Sequence, residues 1–120
     1  MSHCQRISAE QAETLLSGAD NVMLLDMRDA RAYCQGHDPR AIHLSDMTLR
    51  TLVRHTPRQV QLIVCGDEAR ASQEMVEFFR DYGFAHCYSL DGGYAAWQAR
   101  PRQPARAERR VAEQRVAGRG

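Results

Sequence analysis

Short apolar runs alternate with stretches of helical periodicity along this chain of 120 residues. Each run has the length of a strand that is buried on both faces of a sheet. The runs are residues 22–25, 41–44, 60–64 and 86–90. Because a helix is predicted between consecutive strands, the chain should form an α/β domain with a mainly parallel central sheet. We expect about five short strands in this sheet, flanked by helices on both faces.

Capping residues mark the helix boundaries that this alternation requires. Ser8 and Gln11 have the spacing of a capping box, which predicts a short helix directly after Ser8. Asp29 and Ser45 are suitable N-caps for two further helices. The last two helices are predicted at residues 69–82 and 94–99.

The size and the charge distribution indicate one domain followed by an Arg-rich tail. A chain of this length falls within the usual size of one domain. Residues 1–99 carry nine Arg and thirteen acidic residues, whereas residues 100–120 carry seven Arg and two acidic residues. The second segment has few large apolar residues, so we predict a flexible, solvated tail. It lacks interleaved aromatic residues, which argues against nucleic acid as a partner.

The cytoplasm is the predicted location of the protein. No apolar stretch is long enough to span a membrane, and the first residues contain no apolar core of signal-peptide length. In that compartment the cysteines should be mostly reduced thiols. No Cys-x-x-Cys pair is present, so we predict no metal site. The cysteines are Cys4, Cys34, Cys65 and Cys87.

Cys65 directly follows the predicted strand at 60–64, and ligand sites in parallel sheets lie beyond that end of the strands. Backbone N–H groups of the next loop, together with the start of the helix, can surround one anionic atom. We therefore predict that the pKa of Cys65 is lowered and that its thiolate is a nucleophile. The alternative is a buried structural thiol. The loop comprises Gly66, Asp67, Glu68, Ala69, Arg70 and Ala71.

Four stretches of the sequence carry a resemblance to a known family. An apolar pair precedes Asp-x-Arg at residues 24–28, and residues 36–41 read Gly-His-Asp-Pro-Arg-Ala. The loop at 65–71 is the third stretch, and Leu-Asp-Gly-Gly at 90–93 followed by Trp97 is the fourth. In this order and spacing they resemble the single-domain rhodaneses, the thiosulfate sulfurtransferase family. Arg40 stands where that family usually has glycine.

The resemblance implies a sulfur-transfer reaction in two steps. The Cys65 thiolate would attack the sulfane sulfur of a donor such as thiosulfate, which leaves a persulfide on Cys65 and releases sulfite. An acceptor such as cyanide, a small thiol or a protein cysteine would then take the sulfur, with ping-pong kinetics. The resemblance implies no cofactor, and the short apolar stretches predict no membrane partner. Cys65 is thus the expected catalytic residue, and residues 66–71 form the expected substrate-binding loop.

Two other functions stay open from the sequence. Phosphatases and arsenate reductases on related folds separate Cys from Arg by five residues, whereas four residues separate Cys65 from Arg70. The shorter loop suits one sulfur atom better than a tetrahedral oxyanion. A non-enzymatic binding or redox-sensing module is the other alternative, and the retained cysteine argues against it. Asp67 and Glu68 would repel a doubly charged donor unless they point outward, and Arg70 would offset part of that repulsion.

Other polar residues near this loop are expected to have structural roles. Asp26 and Arg28 should form a structural ion pair, with binding of the substrate as the alternative. His37 should hydrogen-bond near the end of the sheet rather than act as a base. The three remaining cysteines should be structural or incidental.

Overall fold

The structure is a computed structural model that describes residues 5–100. The predicted tail from residue 101 onward lies outside the described residues, and so does Cys4. The boundary expected between residues 99 and 100 stays a prediction. No helix within residues 5–100 is long and apolar enough to cross a membrane.

Five strands form one sheet, and every neighbouring pair in it is parallel. The strands are β1 (Arg6–Ile7), β2 (Val22–Asp26), β3 (Ala41–His43), β4 (Gln61–Cys65) and β5 (Cys87–Leu90). Their spatial order is β1-β5-β4-β2-β3, so β4 lies at the centre between β5 and β2. The α/β class and the number of strands are confirmed, and the sheet is parallel throughout.

Within residues 5–100, five helices connect and follow the strands. They are α1 (Ala9–Gly18), α2 (Ala30–Gln35), α3 (Asp46–His55), α4 (Ala69–Asp81) and α5 (Gly93–Ala99). The capping box before α1 is confirmed, because Gln11 N–H donates to Ser8 Oγ and Ser8 N–H donates to Gln11 Oε1, both at 3.0 Å. Asp29 and Ser45 cap α2 and α3 as predicted.

The strand β1 is the element that no apolar run predicted. It has only two residues, too few for a periodic signal, and it exists because its neighbour offers a free edge. Arg6 pairs with Ser89 and Ile7 pairs with Leu90 of β5. An exposed ion pair between Arg6 Nε and Asp91 Oδ1 at 2.6 Å fastens the same edge.

Successive residues of the central strands point to opposite faces of the sheet and build two apolar clusters. One cluster lies against α3 and α4, and the other lies against α1 and α5. The first contains Leu25, Leu44, Leu52, Leu62, Val64, Val76, Phe79, Phe84 and Cys87. The second contains Ile7, Ala12, Leu24, Ala41, Ile63, Cys65, Leu90 and Trp97. The predicted cover of helices on both faces is thereby confirmed.

Candidate active site

Cys65 is the last residue of the central strand β4, and its register partner on β2 is Asp26. The Cys65 carbonyl accepts a hydrogen bond of 2.8 Å from the Met27 N–H group, which extends the pairing of the two strands by one residue. The side chain of Cys65 is packed in the second apolar cluster, and the residue is only 2% exposed. The structure therefore places the predicted nucleophile beneath the surface, at the carboxyl edge of the sheet.

The loop after Cys65 crosses the edge of the sheet in three residues and then becomes α4. Gly66 is buried, and a side chain there would meet Met27, whose Cγ lies 2.9 Å from the Cβ position. Glu68 occupies the N-cap position of α4 but makes no side-chain capping hydrogen bond, unlike the caps of α1, α2 and α3. N–H groups of this first turn are thus left without a side-chain cap, as an anion-binding loop requires.

Asp26 and Arg28 form the inner pair, a buried ion pair beside Cys65. The Arg28 guanidinium donates to the Asp26 carboxylate through Nη2 at 2.6 Å and through Nε at 3.0 and 3.1 Å. The Arg28 side chain is only 5% exposed and the Asp26 side chain only 2%. Arg28 Nη2 also donates to the Gly36 carbonyl at 2.7 Å. All of these contacts are internal, which confirms the predicted structural ion pair.

Tyr94 is a site residue that the sequence did not predict. Its ring lies 3.4 Å from the Arg28 guanidinium carbon, and its hydroxyl donates to the Gly36 carbonyl at 3.1 Å. Its backbone N–H donates to the Gly66 carbonyl at 2.9 Å. Tyr94 thus joins the inner pair to the loop that follows Cys65. In the sequence, only its position directly after the Gly-Gly pair could have indicated that Tyr94 lies near the site.

Burial raises the pKa of the Cys65 thiol to about 12. The nearby Asp26 and Asp67 carboxylates raise this pKa as well, and the Arg28 guanidinium lowers it. The predicted lowering of the Cys65 pKa is therefore wrong for the free protein. The sequence placed Cys65 beside favourable backbone dipoles but did not reveal that the sulfur is desolvated and has two carboxylates near it.

Arg70 does not reach the space around Cys65. Its side chain is 90% exposed and pairs with Glu74 on the next turn of α4, at 3.3 Å. The expected offset of repulsion by Arg70 is therefore absent from this arrangement. Asp67, Glu68 and Ala69 are also exposed, whereas Gly66 is buried. Of the two acidic residues, Asp67 acts on the pKa of Cys65.

His37 has the structural role that was predicted for it. Its ring stacks on Tyr33 with centroids 3.7 Å apart, and its Nδ1 lies 2.7 Å from the Tyr33 carbonyl. Cys34 is exposed, while Cys87 is buried with its Sγ 3.3 Å from the Phe84 carbonyl. Within residues 5–100, no group of three or more His, Cys, Asp or Glu side chains could hold a metal ion.

Arg40 is the centre of a second group of charges, which we name the outer cluster: Arg40, Glu13, Asp38 and Arg100. Arg40 binds both Glu13 carboxylate oxygens at 2.8 Å and also donates to Asp38 at 2.9 and 3.0 Å. Arg100 reaches the same Glu13 at 3.1 Å. The hydrogen bonds from Arg40 hold the pKa of Glu13 down at about 2. This cluster joins α1 to the segment before β3 and to the end of α5.

A family model described as a rhodanese-like domain matches residues 8–100. This range covers the predicted motifs, the loop after Cys65 and the complete sheet except for β1. The chain belongs to the rhodanese family. The resemblance that was inferred from four short stretches is confirmed.

Curated relatives of this rhodanese carry the name thiosulfate sulfurtransferase GlpE. One from Ectopseudomonas mendocina (strain ymp) is 33% identical over 99 residues, which cover 82% of this chain and 89% of the relative. Another from Pseudomonas entomophila (strain L48) is 32% identical with the same coverage. The chain is therefore similar to named sulfurtransferases over nearly their whole length.

Solved structures share the fold of this rhodanese. The crystal structure of the Alr3790 protein from Anabaena sp. has a TM-score of 0.70 at 27% identity and covers 78% of this chain and 75% of that chain. The human single-domain sulfurtransferase TSTD1 has a TM-score of 0.69 at 15% identity and covers 82% of this chain and 99% of that chain. The second likeness shows the fold alone.

Proposed function

We propose that this rhodanese is a sulfurtransferase that moves a sulfane sulfur from a donor to a thiophilic acceptor through a persulfide on Cys65. The observation that supports this most is the position of Cys65. It ends the central strand of a parallel sheet and is followed by a short loop whose helix start lacks a side-chain cap. Relatives at 32–33% identity carry the name thiosulfate sulfurtransferase.

In the first step the Cys65 thiolate attacks the outer sulfur of thiosulfate. A new S–S bond forms to Cys65, the S–S bond of thiosulfate breaks, and its electron pair leaves with sulfite. In the second step cyanide, a thiol or a protein cysteine attacks the outer sulfur of the persulfide, which regenerates the Cys65 thiolate. The two steps balance without a redox cofactor.

The surroundings of Cys65 define what the loop must do in this reaction. Burial and the Asp26 and Asp67 charges favour the thiol, so the proton has to leave before the attack. Arg28 is the cation that favours the thiolate, but its N–H groups are engaged by Asp26 and by backbone carbonyls. The N–H groups of the loop are therefore the donors left to hold the added sulfur.

The charges near the loop favour a donor that carries less negative charge than thiosulfate. Asp67 is exposed next to Cys65, and Arg70 is paired with Glu74 away from it. A carboxylate near an arriving dianion raises the free energy of the bound donor. A protein-bound persulfide fits this site at least as well as thiosulfate does.

Replacement of Cys65 by serine tests the proposal. We expect the wild-type protein to gain the mass of one sulfur atom after exposure to thiosulfate, and Cys65→Ser to gain none. Cys34→Ser is the matched control, because Cys34 is the exposed free cysteine among the described residues and should not matter for transfer. Equal turnover by Cys65→Ser and wild type would contradict the proposal.

Assays of wild type and Cys65→Ser with phosphate and arsenate substrates test whether the protein instead acts on phosphate or arsenate. Arg70 is the arginine that a phosphatase would need in its loop, and here its side chain is exposed and paired with Glu74. We therefore expect no hydrolysis of an aryl phosphate and no reduction of arsenate above background. If wild type hydrolyses the aryl phosphate and Cys65→Ser does not, phosphate hydrolysis would replace sulfur transfer as the proposed function.

A further inference from the structure

Gly92 is the N-cap of α5 and Gly93 is its first residue, and the two glycines meet different neighbours. Gly92 and Gly93 both have a left-handed backbone, with φ of 76° and 60°. A Cβ at Gly93 would overlap the Gly66 carbonyl oxygen and lie 3.3 Å from the Gly66 carbonyl carbon. A Cβ at Gly92 would instead lie 2.6 Å from the Cβ of Ala96 in α5. Only Gly93 therefore borders the loop after Cys65.

The two peptide groups that follow Cys65 each have their carbonyl fixed from outside the loop. The Cys65 carbonyl accepts from Met27 N–H at 2.8 Å, and the Gly66 carbonyl accepts from Tyr94 N–H at 2.9 Å. No peptide bond in the described residues is cis. In a planar trans peptide the N–H group points opposite to the carbonyl. The N–H of Asp67 consequently points away from the Tyr94 N–H group that holds the Gly66 carbonyl.

We infer that Gly93 is a positioning residue for sulfur transfer: its missing side chain lets α5 hold the Gly66 carbonyl, so that the Asp67 N–H faces the sulfur added to Cys65. This inference rests on the proposed persulfide chemistry. Donors that are oriented before the reaction cost no reorganisation when the negative charge arrives. A side chain at residue 93 would displace the carbonyl and turn this donor aside.

The adjacent glycines provide a matched pair of variants. Gly93→Ala and Gly92→Ala both place a side chain at a position of positive φ and both make a close contact, but only the first meets the loop after Cys65. We expect Gly93→Ala to lower kcat for transfer from thiosulfate to cyanide at least about tenfold below Gly92→Ala, with a smaller change in KM. Loss of one oriented donor costs about 10²–10³ in kcat in comparable sites. Equal kcat in two variants of equal melting temperature would overturn the inference.

A second readout does not depend on sulfur transfer. The rate of Cys65 alkylation by iodoacetamide, followed on its peptide by mass spectrometry across a pH series, reports the stability of the thiolate. Because the same N–H group would also favour the Cys65 thiolate, we expect Gly93→Ala to be alkylated more slowly than Gly92→Ala at each pH. If wild type takes up no sulfur, the proposed function has failed. Coincident alkylation profiles of the two variants would overturn the role of Gly93, whether or not wild type takes up sulfur.

The wild-type protein gives a third readout should Gly93→Ala not fold. The amide proton of Asp67 should move downfield in the NMR spectrum when thiosulfate converts Cys65 to its persulfide, because a hydrogen bond to sulfur forms there. The amide of Glu74, which lies on the exposed side of α4, serves as the reference. A shift at Asp67 no larger than that at Glu74 would overturn the inference.

Discussion

The inner pair and the outer cluster both join an arginine to carboxylates, but they differ in burial and in what they influence. Arg28 is almost fully enclosed, whereas the Arg40 side chain is 39% exposed. The charges of the inner pair act on the pKa of Cys65. The outer cluster instead joins α1, the segment before β3 and the end of α5. Similar ion pairs thus act on the pKa of a buried thiol in one place and hold elements together in the other.

The inner pair and the outer cluster also differ in how they match the sequence motifs of the family. The inner pair lies in the Asp-x-Arg stretch that carries the rhodanese resemblance, whereas Arg40 stands where the family usually has glycine. A buried pair is costly to break because one unpaired charge stays in the interior. An exposed pair is screened by water and contributes less. The comparison therefore predicts different losses for equivalent substitutions, and it can be tested with the following experiments.

The largest effect is expected in the pH dependence of Cys65. A raised pKa means that the thiol dominates at neutral pH and that the thiolate fraction grows about tenfold with each pH unit below about 12. The rate of alkylation of Cys65 by iodoacetamide should therefore rise without a plateau between about pH 7 and 10. Mass spectrometry of the Cys65 peptide measures this rate. A plateau near neutral pH would show that Arg28 and the loop dipoles outweigh burial.

Removal of the arginine from the inner pair should cost the most stability. Arg28→Gln leaves the Asp26 carboxylate buried without its cation, and we expect a loss of about 3–5 kcal/mol in the free energy of unfolding by urea. The double variant Arg28→Gln with Asp26→Asn is the control, because it removes both charges and should recover part of the loss. A single-variant loss below about 1 kcal/mol would mean that the pair is not enclosed in solution.

The corresponding change in the outer cluster should have a smaller effect. Arg40→Met keeps the aliphatic stem but removes the hydrogen bonds to Glu13, and it should cost about 1–2 kcal/mol after allowance for solvent screening. Glu13 has a folded-state pKa of about 2, against 4.5 for an ordinary glutamate, so its contribution is present above pH 4.5 and is lost as the pH falls through 2.

Urea titrations at several pH values measure this loss for Arg40→Met. The stability difference from wild type should shrink at acid pH, and sulfur transfer should not change. Arg70→Met is the matched control, because the ion pair of Arg70 is almost fully exposed and its removal should cost about 0.5 kcal/mol or less. A pH-independent difference would show that Arg40 stabilises through packing instead of charge.

The smallest effect concerns the exposed acidic residues of the loop. Replacement of Asp67 by Asn and of Glu68 by Gln should lower KM for thiosulfate several-fold at low ionic strength, because each nearby charge costs on the order of 1 kcal/mol. Salt should reduce the gain. Asp67→Asn alone should give most of this decrease in KM, since Asp67 is the one of the two that raises the pKa of Cys65. An unchanged KM in the double variant would mean that neither carboxylate affects the donor.

Local patterns in the sequence predicted most of the fold and the position of Cys65 at the end of a strand. Apolar runs, caps and motif spacing are all carried by residues close together in the chain. The capping box at Ser8 and Gln11 is a direct case, because three residues determine it. Cys65 could be placed for the same reason, as its location follows from the end of one strand.

The features that the sequence did not predict depend on contacts between residues that are distant in the chain. Arg40 and Glu13 are 27 positions apart, and the contact between Tyr94 and Gly36 spans 58 positions. No local pattern indicates such pairs. The pKa of Cys65 was mispredicted for the same reason, since burial and the Asp26 charge come from packing between strands.

The edge strand β1 has a consequence for the order of folding. Arg6 and Asp91, which form an ion pair at this edge, are 85 positions apart in the chain. A ribosome delivers Arg6 early, but the strand that pairs with β1 emerges only when nearly the whole domain has been synthesised. Closing so long a loop also costs more chain entropy than joining neighbouring elements does. We therefore expect β1 to be the last strand that joins the sheet, after β2, β3 and β4 have assembled around Cys65.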